Sequence, residues 1–223
     1  MSAVYWISFL LLITVSMLIR AEFKENHQQR VIFKPLSTTL LVVIILISML
    51  FDDGNLPFKA AILLGMIFCF GGDVALMYDS KKAFLIGLVL FLIGHIVYGV
   101  TLVIYNGFVF KGYLSIAVVV LVGLPIFAYL YSGLGGMKIP VICYMVVISL
   151  MLNSALLTFE SPFFNSSQAW LLAVGAALFY LSDIVLAINK FKKPFELNRL
   201  SLYLYYAGQL GIALSTMHFI KGA

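Results

Sequence analysis

The chain has 223 residues, of which 63% are hydrophobic and 10% are charged. A soluble domain of this length exposes far more charge, since about a quarter of the residues in ordinary globular proteins are charged. The net charge of +5 is carried in connections and at helix ends, a pattern that reflects membrane topology. The composition therefore excludes a soluble protein, and it gives no indication of a nucleic-acid partner.

Long apolar blocks follow one another along the chain, and most are long enough to cross the hydrocarbon as helices. The first block lacks preceding basic residues and a cleavage-type sequence, so we expect a retained helix. The predicted fold is all-α, a polytopic transmembrane bundle of about eight helices that forms a single integral membrane domain over residues 1–223. The predicted spans are 3–19, 36–51 (short unless 31–35 extend it), 58–77, 83–104, 112–131, 138–158, 169–189 and 199–219.

Basic residues concentrate in the connections that follow the first, third, fifth and seventh spans. Only Lys59, Lys111 and Lys221 lie on the opposite side. Because cytoplasmic loops carry an excess of Lys and Arg, we expect the odd-numbered connections in the cytoplasm and both termini outside. The predicted location is the plasma membrane, or the inner membrane of a bacterium. The residues of the odd-numbered connections are Arg20, Lys24, Arg30, Lys34, Lys81, Lys82, Lys138, Lys190, Lys192, Lys193 and Arg199.

The two halves of the chain resemble each other. Lys34-Pro35 opens the second span and Lys138-Ile139-Pro140 opens the sixth, while 72–76 and 182–186 each place an aspartate near the end of a span. Four crossings return a chain to its starting side, so a repeat of four helices would keep the same orientation. The pattern indicates a possible four-plus-four internal repeat.

Two of the nine acidic residues, Asp73 and Asp183, lie inside apolar spans. A carboxylate at such a position costs about 2.5–3.5 kcal/mol on insertion scales, so it normally faces the protein interior or a wet cavity. Asp73 lies eight residues before Lys81 and Asp183 seven before Lys190. Each is therefore predicted about 10–12 Å inside the cytoplasmic boundary. We expect both to line one cavity, although a structural hydrogen bond between helices is the alternative role.

Other polar residues within the spans are candidates for the same cavity, and several share a helix face by their spacing. Amide and histidine side chains also form structural hydrogen bonds between helices, and tyrosines also occur in the aromatic belts at the membrane interface. Lys34 is a candidate for binding a phosphate or for snorkelling to the interface. The supporting or substrate-binding candidates are Lys34, His95, Tyr98, Asn153, Ser182, Tyr206 and Gln209.

Five segments resemble the YhhN-like lysoplasmalogenase family of small eight-helix membrane proteins. They occur in the family's order from about residue 33 to residue 212, which is most of the chain. The segments are 34–41 (KPLSTTLL), 71–77 (GGDVALM), the pair Gly94-His95 with Tyr98, 181–187 (LSDIVLA) and 206–209 (YAGQ).

The resemblance implies hydrolysis of the vinyl ether bond of lysoplasmalogens, lysophospholipids that reside in the bilayer. The products would be a fatty aldehyde and glycerophosphoethanolamine or glycerophosphocholine. The aspartates of the family correspond to Asp73 and Asp183, and its histidine corresponds to His95. No cofactor is expected, and no cluster with metal-ligand spacing, including Cys69 and Cys143, predicts a metal.

A vinyl ether is hydrolysed by protonating its outer alkene carbon, which leaves an oxocarbenium ion to which water adds. The catalyst needs one neutral carboxylic acid and an anionic partner, the two roles that paired carboxyls fill in glycosidases. Neighbouring carboxyls in an apolar cavity titrate at different pH values, so both forms can coexist. We expect Asp73 and Asp183 to divide the acid and the base or stabiliser roles, in an order that the sequence leaves open.

Two other functions use intramembrane aspartates. A proton-coupled small-molecule transporter would suit the repeat, although paired helices broken by Gly and Pro, typical of such proteins, are missing. An intramembrane aspartyl protease requires the pattern Gly-x-Gly-Asp, and the chain has Phe70 where the first glycine should be.

Overall fold

The computed structural model describes residues 2–51, 54–107 and 113–217, and every regular element within these ranges is helical. The predictions for Lys111 and Lys221 lie outside the described residues. Eight α-helices follow one another, joined by short connections that include 3₁₀ turns. Their bounds are α1 Ser2–Phe23, α2 His27–Phe51, α3 Leu56–Ala75, α4 Lys81–Asn106, α5 Tyr113–Leu130, α6 Lys138–Leu156, α7 Ser166–Phe191 and α8 Ser201–Ser215.

The predicted all-α membrane bundle is confirmed, with seven helices long and apolar enough to cross a membrane. The last helix is shorter than predicted, because α8 has 15 residues and a rise of about 22 Å. The second helix is longer than the predicted span. It begins at His27 and runs through Pro35, and the Asn26 side chain accepts from the Gln29 amide at 3.1 Å.

Polar side chains fix several helix starts. The Asn55 side chain accepts from the Phe58 amide at the start of α3, and Ser80 does the same for Ala83 at the start of α4. Asn165 and Gln168 form a capping box at the start of α7. These contacts satisfy amide groups that a helix leaves without partners in its first turn.

The connections predicted to share one side of the membrane do meet. Glu22, in the last turn of α1, pairs with Arg30 at 2.9 Å and with Arg199, before α8, at 3.0 Å. Lys192, after α7, donates to Ser132, after α5, at 2.6 Å. The first, fifth and seventh connections therefore lie at one face of the bundle.

The opposite face is held by a separate set of contacts. Tyr105, near the end of α4, donates to Asn55 before α3 at 2.9 Å. Ser161, after α6, donates to the Tyr105 carbonyl oxygen at 3.2 Å. The second and sixth connections are thus gathered around the end of α4, away from the basic connections described above.

Small residues bring two helix pairs close together. A Cβ placed on Gly94 of α4 would lie 2.8 Å from Cys69 Sγ of α3, and one on Gly175 of α7 would lie 2.8 Å from the Gly208 carbonyl oxygen of α8. Such close backbone approach is the usual role of small residues between membrane helices. Gly65 and Gly72 of α3 leave space for side chains of α4, since the rings of Tyr98 and Phe91 lie directly over them.

Candidate active site

Asp73 lies in a buried polar cluster formed by α2, α3 and α8. Its Oδ2 accepts hydrogen bonds from Thr38 Oγ1 and from the Tyr205 hydroxyl, both at 2.7 Å. Its Oδ1 lies 3.6 Å from Lys34 Nζ. The carboxyl is only 2% exposed, and two hydroxyl donors and an ammonium group are the partners of an ionised carboxylate.

Lys34 belongs to this cluster and does not lie free at the membrane surface. It is 7% exposed, and the Tyr206 hydroxyl donates to its carbonyl oxygen at 3.2 Å. The structure therefore brings together three residues that the sequence predicts separately, namely Lys34, Asp73 and Tyr206. Because the ammonium group already faces Asp73, Lys34 is poorly placed to bind a phosphate.

Asp183 has different surroundings, in the middle of α7. Its Oδ2 accepts a short hydrogen bond from the hydroxyl of Tyr144 on α6. No Lys, Arg or His of the described ranges lies within ion-pair distance of this carboxyl. Asp183 is half-buried, where Asp73 is almost completely enclosed.

A cavity of about 70 Å³ opens beside Asp183. Apart from Asp183, its walls are aliphatic and aromatic, and they come from α3, α4, α5, α6 and α7. Ligand sites are commonly apolar cavities with a few polar groups, which describes this one. The polar and aromatic lining residues are Phe84, Phe91, Tyr144, Tyr180, Asp183 and Phe191.

Aromatic rings lie between the two aspartates. Tyr205, the donor to Asp73, packs on Phe179 with ring centroids 5.1 Å apart. Phe179 packs on His95 at 4.6 Å, and His95 packs on Tyr144, the donor to Asp183, at 5.4 Å. Among the described residues the two carboxyls share no hydrogen-bond partner, so each belongs to a cluster of its own.

The two aspartates also lie at different distances from their helix ends. Two residues of α3 follow Asp73, whereas eight residues of α7 follow Asp183. The equal depth inferred from Lys81 and Lys190 therefore stays a prediction.

The other predicted candidates divide between the centre and the periphery. The Tyr98 hydroxyl donates to Gln209 Oε1 at 3.2 Å in the core, so these two are brought together. Ser182 is buried beside Asp183 in the chain. Asn153 accepts from Ser115 of α5 at 2.7 Å and lies nine residues beyond Tyr144 on α6, or about 13 Å along the helix. It is thus remote from the hydroxyl group that contacts Asp183.

Three residues of these clusters are absent from the predicted site, namely Thr38, Tyr144 and Tyr205. Thr38 lies one turn after Lys34 and within the segment 34–41, so its position on the same helix face was the available signal. Tyr205 shares its helix with Gln209, at the same spacing. Tyr144 offers no signal, because a tyrosine in an apolar span is equally suited to packing and to hydrogen bonding.

The arrangement suits proton transfer in an apolar space. Within the described ranges, no group of three or more His, Cys, Asp and Glu side chains is placed to hold a metal ion. Asp183 offers a carboxyl at a cavity wall, and Asp73 offers a carboxylate whose acceptors are occupied. The carboxyl of Asp183 can therefore be neutral while that of Asp73 is ionised within the same bundle.

Comparison with known proteins identifies a family and a similar protein. A family model described as the YhhN family matches residues 29–216. The chain is 30% identical over 166 residues to lysoplasmalogenase TMEM86A of Bos taurus, an alignment that covers 72% of this chain and 67% of that protein. No solved structure gives a significant match.

Proposed function

Because the chain belongs to the YhhN family, we propose that it hydrolyses the vinyl ether bond of lysoplasmalogens. The products would be a fatty aldehyde and a glycerophospho-base. Its relative in Bos taurus carries the name of this activity. The observation that carries the proposal is Asp183, a carboxyl at the wall of an apolar cavity within a membrane protein.

Asp183 is the proposed acid. Tyr144 donates a hydrogen bond to this carboxyl, and no cation of the described ranges lies within ion-pair distance of it. Its ionised form therefore has fewer stabilising partners than that of Asp73. A neutral acid can protonate the outer alkene carbon, and the carboxylate that remains then lies beside the oxocarbenium ion. One residue therefore supplies the proton and stabilises the cation that follows, as paired carboxyls do for sugars.

Asp73 is proposed to act from outside the cavity. It does not line the cavity, and Lys34, Thr38 and Tyr205 occupy its oxygens. Through Tyr205 it fixes a ring that packs on Phe91 and Phe179, and Phe91 is part of the cavity wall. Asp73 is therefore a positioning residue for the site that Asp183 serves.

The substrate is proposed to enter with its chain in the apolar cavity and its phosphate at the basic face. Lys190 suits the phosphate, because its Nζ lies 4.9 Å from the ring centroid of Phe84, which lines the cavity. The vinyl ether lies next to the glycerol carbon backbone, at the top of the hydrocarbon. A carboxyl close beneath the membrane surface can reach this bond, and the basic connections favour the cytoplasmic surface.

The direct test uses purified protein with lysoplasmenylethanolamine and a coupled dehydrogenase that reports aldehyde. We expect release by the unmodified protein and a loss of about 10²–10⁴-fold in Asp183→Asn, the range for a general acid. Asp79→Asn makes the same chemical change in an exposed connection and should leave the rate unchanged. Folded protein that releases no aldehyde would contradict the proposal. Uptake of a polar solute into proteoliposomes, lost in Asp183→Asn, would favour the transporter.

A further inference from the structure

His95 is held in one orientation and one tautomer. Its Nδ1 lies 2.6 Å from the Phe91 carbonyl oxygen, and a carbonyl can only accept a hydrogen bond. Nδ1 therefore carries the ring hydrogen. Nε2 is left with a lone pair, which makes it the acceptor of the neutral ring.

That acceptor is buried without a partner. His95 is 1% exposed, and Nε2 has no hydrogen-bond partner among the described residues. An unsatisfied buried polar atom costs about 1–3 kcal/mol, and such atoms in native proteins call for a functional or solvent explanation. The rings of Phe179 and Tyr144 pack against the imidazole. The hydroxyl of Tyr144 is already engaged with Asp183.

The unpartnered nitrogen lies next to the Asp183 cavity. Tyr144 lines the cavity, donates to Asp183 and contacts the His95 ring. Phe91 lines the same cavity and holds His95 Nδ1 through its carbonyl oxygen. His95 does not itself line the cavity, but Phe91 and Tyr144, which both contact it, do.

We propose that His95 Nε2 is the base that binds and deprotonates the hydrolytic water. This inference rests on the proposed function and assigns the role that Asp73, with its oxygens occupied, leaves open. Nε2 of the neutral ring carries a lone pair without a partner among the described residues, and an imidazole nitrogen is the most common general base in enzymes.

The steps balance in protons and electrons. Asp183 gives its proton to the outer alkene carbon, whose π electrons form the new C–H bond, and the ether carbon becomes an oxocarbenium ion. The water oxygen adds to that carbon while Nε2 takes a proton. The hemiacetal then collapses: Asp183 recovers a proton from the hemiacetal hydroxyl, and the His95 imidazolium protonates the departing glycerol oxygen. The sum is vinyl ether and water giving aldehyde and alcohol.

The test is deuterium in the substrate that has not reacted. In D₂O, every oxocarbenium ion that the unmodified protein forms should react with water and go on to product. Substrate recovered at half conversion should therefore still carry hydrogen at its outer alkene carbon. His95→Asn retains an amide that can donate to the Phe91 carbonyl oxygen but lacks the base. We expect its turnover to fall about 10²-fold. The long-lived cation should also return to alkene, placing deuterium in recovered substrate that mass spectrometry detects.

His95→Gln serves as the second variant if His95→Asn does not fold, since its amide can bind water near Nε2 but cannot take a proton. It should show the same deuterium in recovered substrate. Slow turnover without that deuterium, or a rate equal to that of the unmodified protein, would overturn the role of His95 and leave the hydrolase intact. An unmodified protein that releases no aldehyde would instead overturn the proposed function, and the inference with it.

Discussion

Two residues of the same type have different chemistry here because their neighbours differ. Asp73 accepts from two hydroxyls and faces Lys34, and these three neighbours all favour its ionised form. Asp183 accepts from one hydroxyl and faces an apolar cavity, which are the surroundings of an acid that can give up and regain a proton. Burying a carboxyl in a bilayer costs free energy wherever it lies. The groups that contact it determine whether it serves as an acid or as a fixed charge.

The ion pair of Lys34 and Asp73 can be tested as a unit. Lys34→Met should destabilise the protein by about 3–5 kcal/mol, because it leaves a buried carboxylate without its cation. The double variant Lys34→Met with Asp73→Asn should recover most of that loss, since neither charge remains and Thr38 and Tyr205 can still donate to the amide oxygen. Denaturant unfolding in detergent is measured for the unmodified protein, for Lys34→Met and Asp73→Asn alone, and for the double variant. Additive losses in the double variant would show that the pair is not coupled.

Glycines set the close contact between α7 and α8. α7 and α8 meet through Gly175, Gly208 and Gly211, each of which leaves no room for a Cβ against the facing backbone. This contact holds the short α8 in the bundle and brings Tyr205 and Gln209 to their partners on α3 and α4. A helix too short to span the bilayer unaided is thereby kept in register with the others.

A pair of glycine variants tests this packing. Gly175→Ala would place a methyl group 2.8 Å from the Gly208 carbonyl oxygen, so we expect a loss of about 1–3 kcal/mol from overpacking. At Gly99 of α4 a Cβ would lie 3.5 Å from Met151 Cα, an ordinary contact. Gly99→Ala should therefore be neutral or stabilising by about 0.5–1 kcal/mol. Thermal unfolding in detergent compares them, and equal stability of the two variants would contradict the glycine contact.

The whole bundle has two distinct ends, which cysteine labelling can orient. In a Cys143→Ala background, Asp79→Cys lies after α3 and Pro162→Cys after α6, and both native side chains are exposed. The positive-inside bias predicts that an impermeant maleimide labels Pro162→Cys in intact cells. Asp79→Cys should be labelled only after permeabilisation. The reverse pattern would place the basic connections outside.

The sequence predicts the architecture better than the contacts. Hydropathy locates the helices because the bilayer requires long apolar segments. Asp73, Lys34 and His95 are recognisable because polar groups are rare in such segments. Their partners are not, because an all-apolar helix has no polar side to show which way it turns. Tyr144 is therefore missed, and the pairing of Lys34 with Asp73 is not foreseen.

The possible internal repeat gains one structural parallel. Asp73 on α3 accepts from Thr38 on the helix before it, and Asp183 on α7 accepts from Tyr144 on the helix before that. Each half of the chain thus uses its second helix to supply a hydroxyl to the aspartate of its third. The four-plus-four repeat stays a prediction, and the two aspartates differ in that only Asp73 faces a lysine among the described residues.

The position of Tyr205 on the last helix has a consequence for how the chain is made. Ribosomes synthesise α2 and α3 long before α8, so Asp73 enters the bilayer before its Tyr205 donor exists. At that stage Lys34 and Thr38, both on the neighbouring α2, are the partners within reach. Lys34 and Thr38 can therefore stabilise the Asp73 carboxylate in the nascent protein. The Tyr205 hydroxyl joins them only once α8 has been inserted.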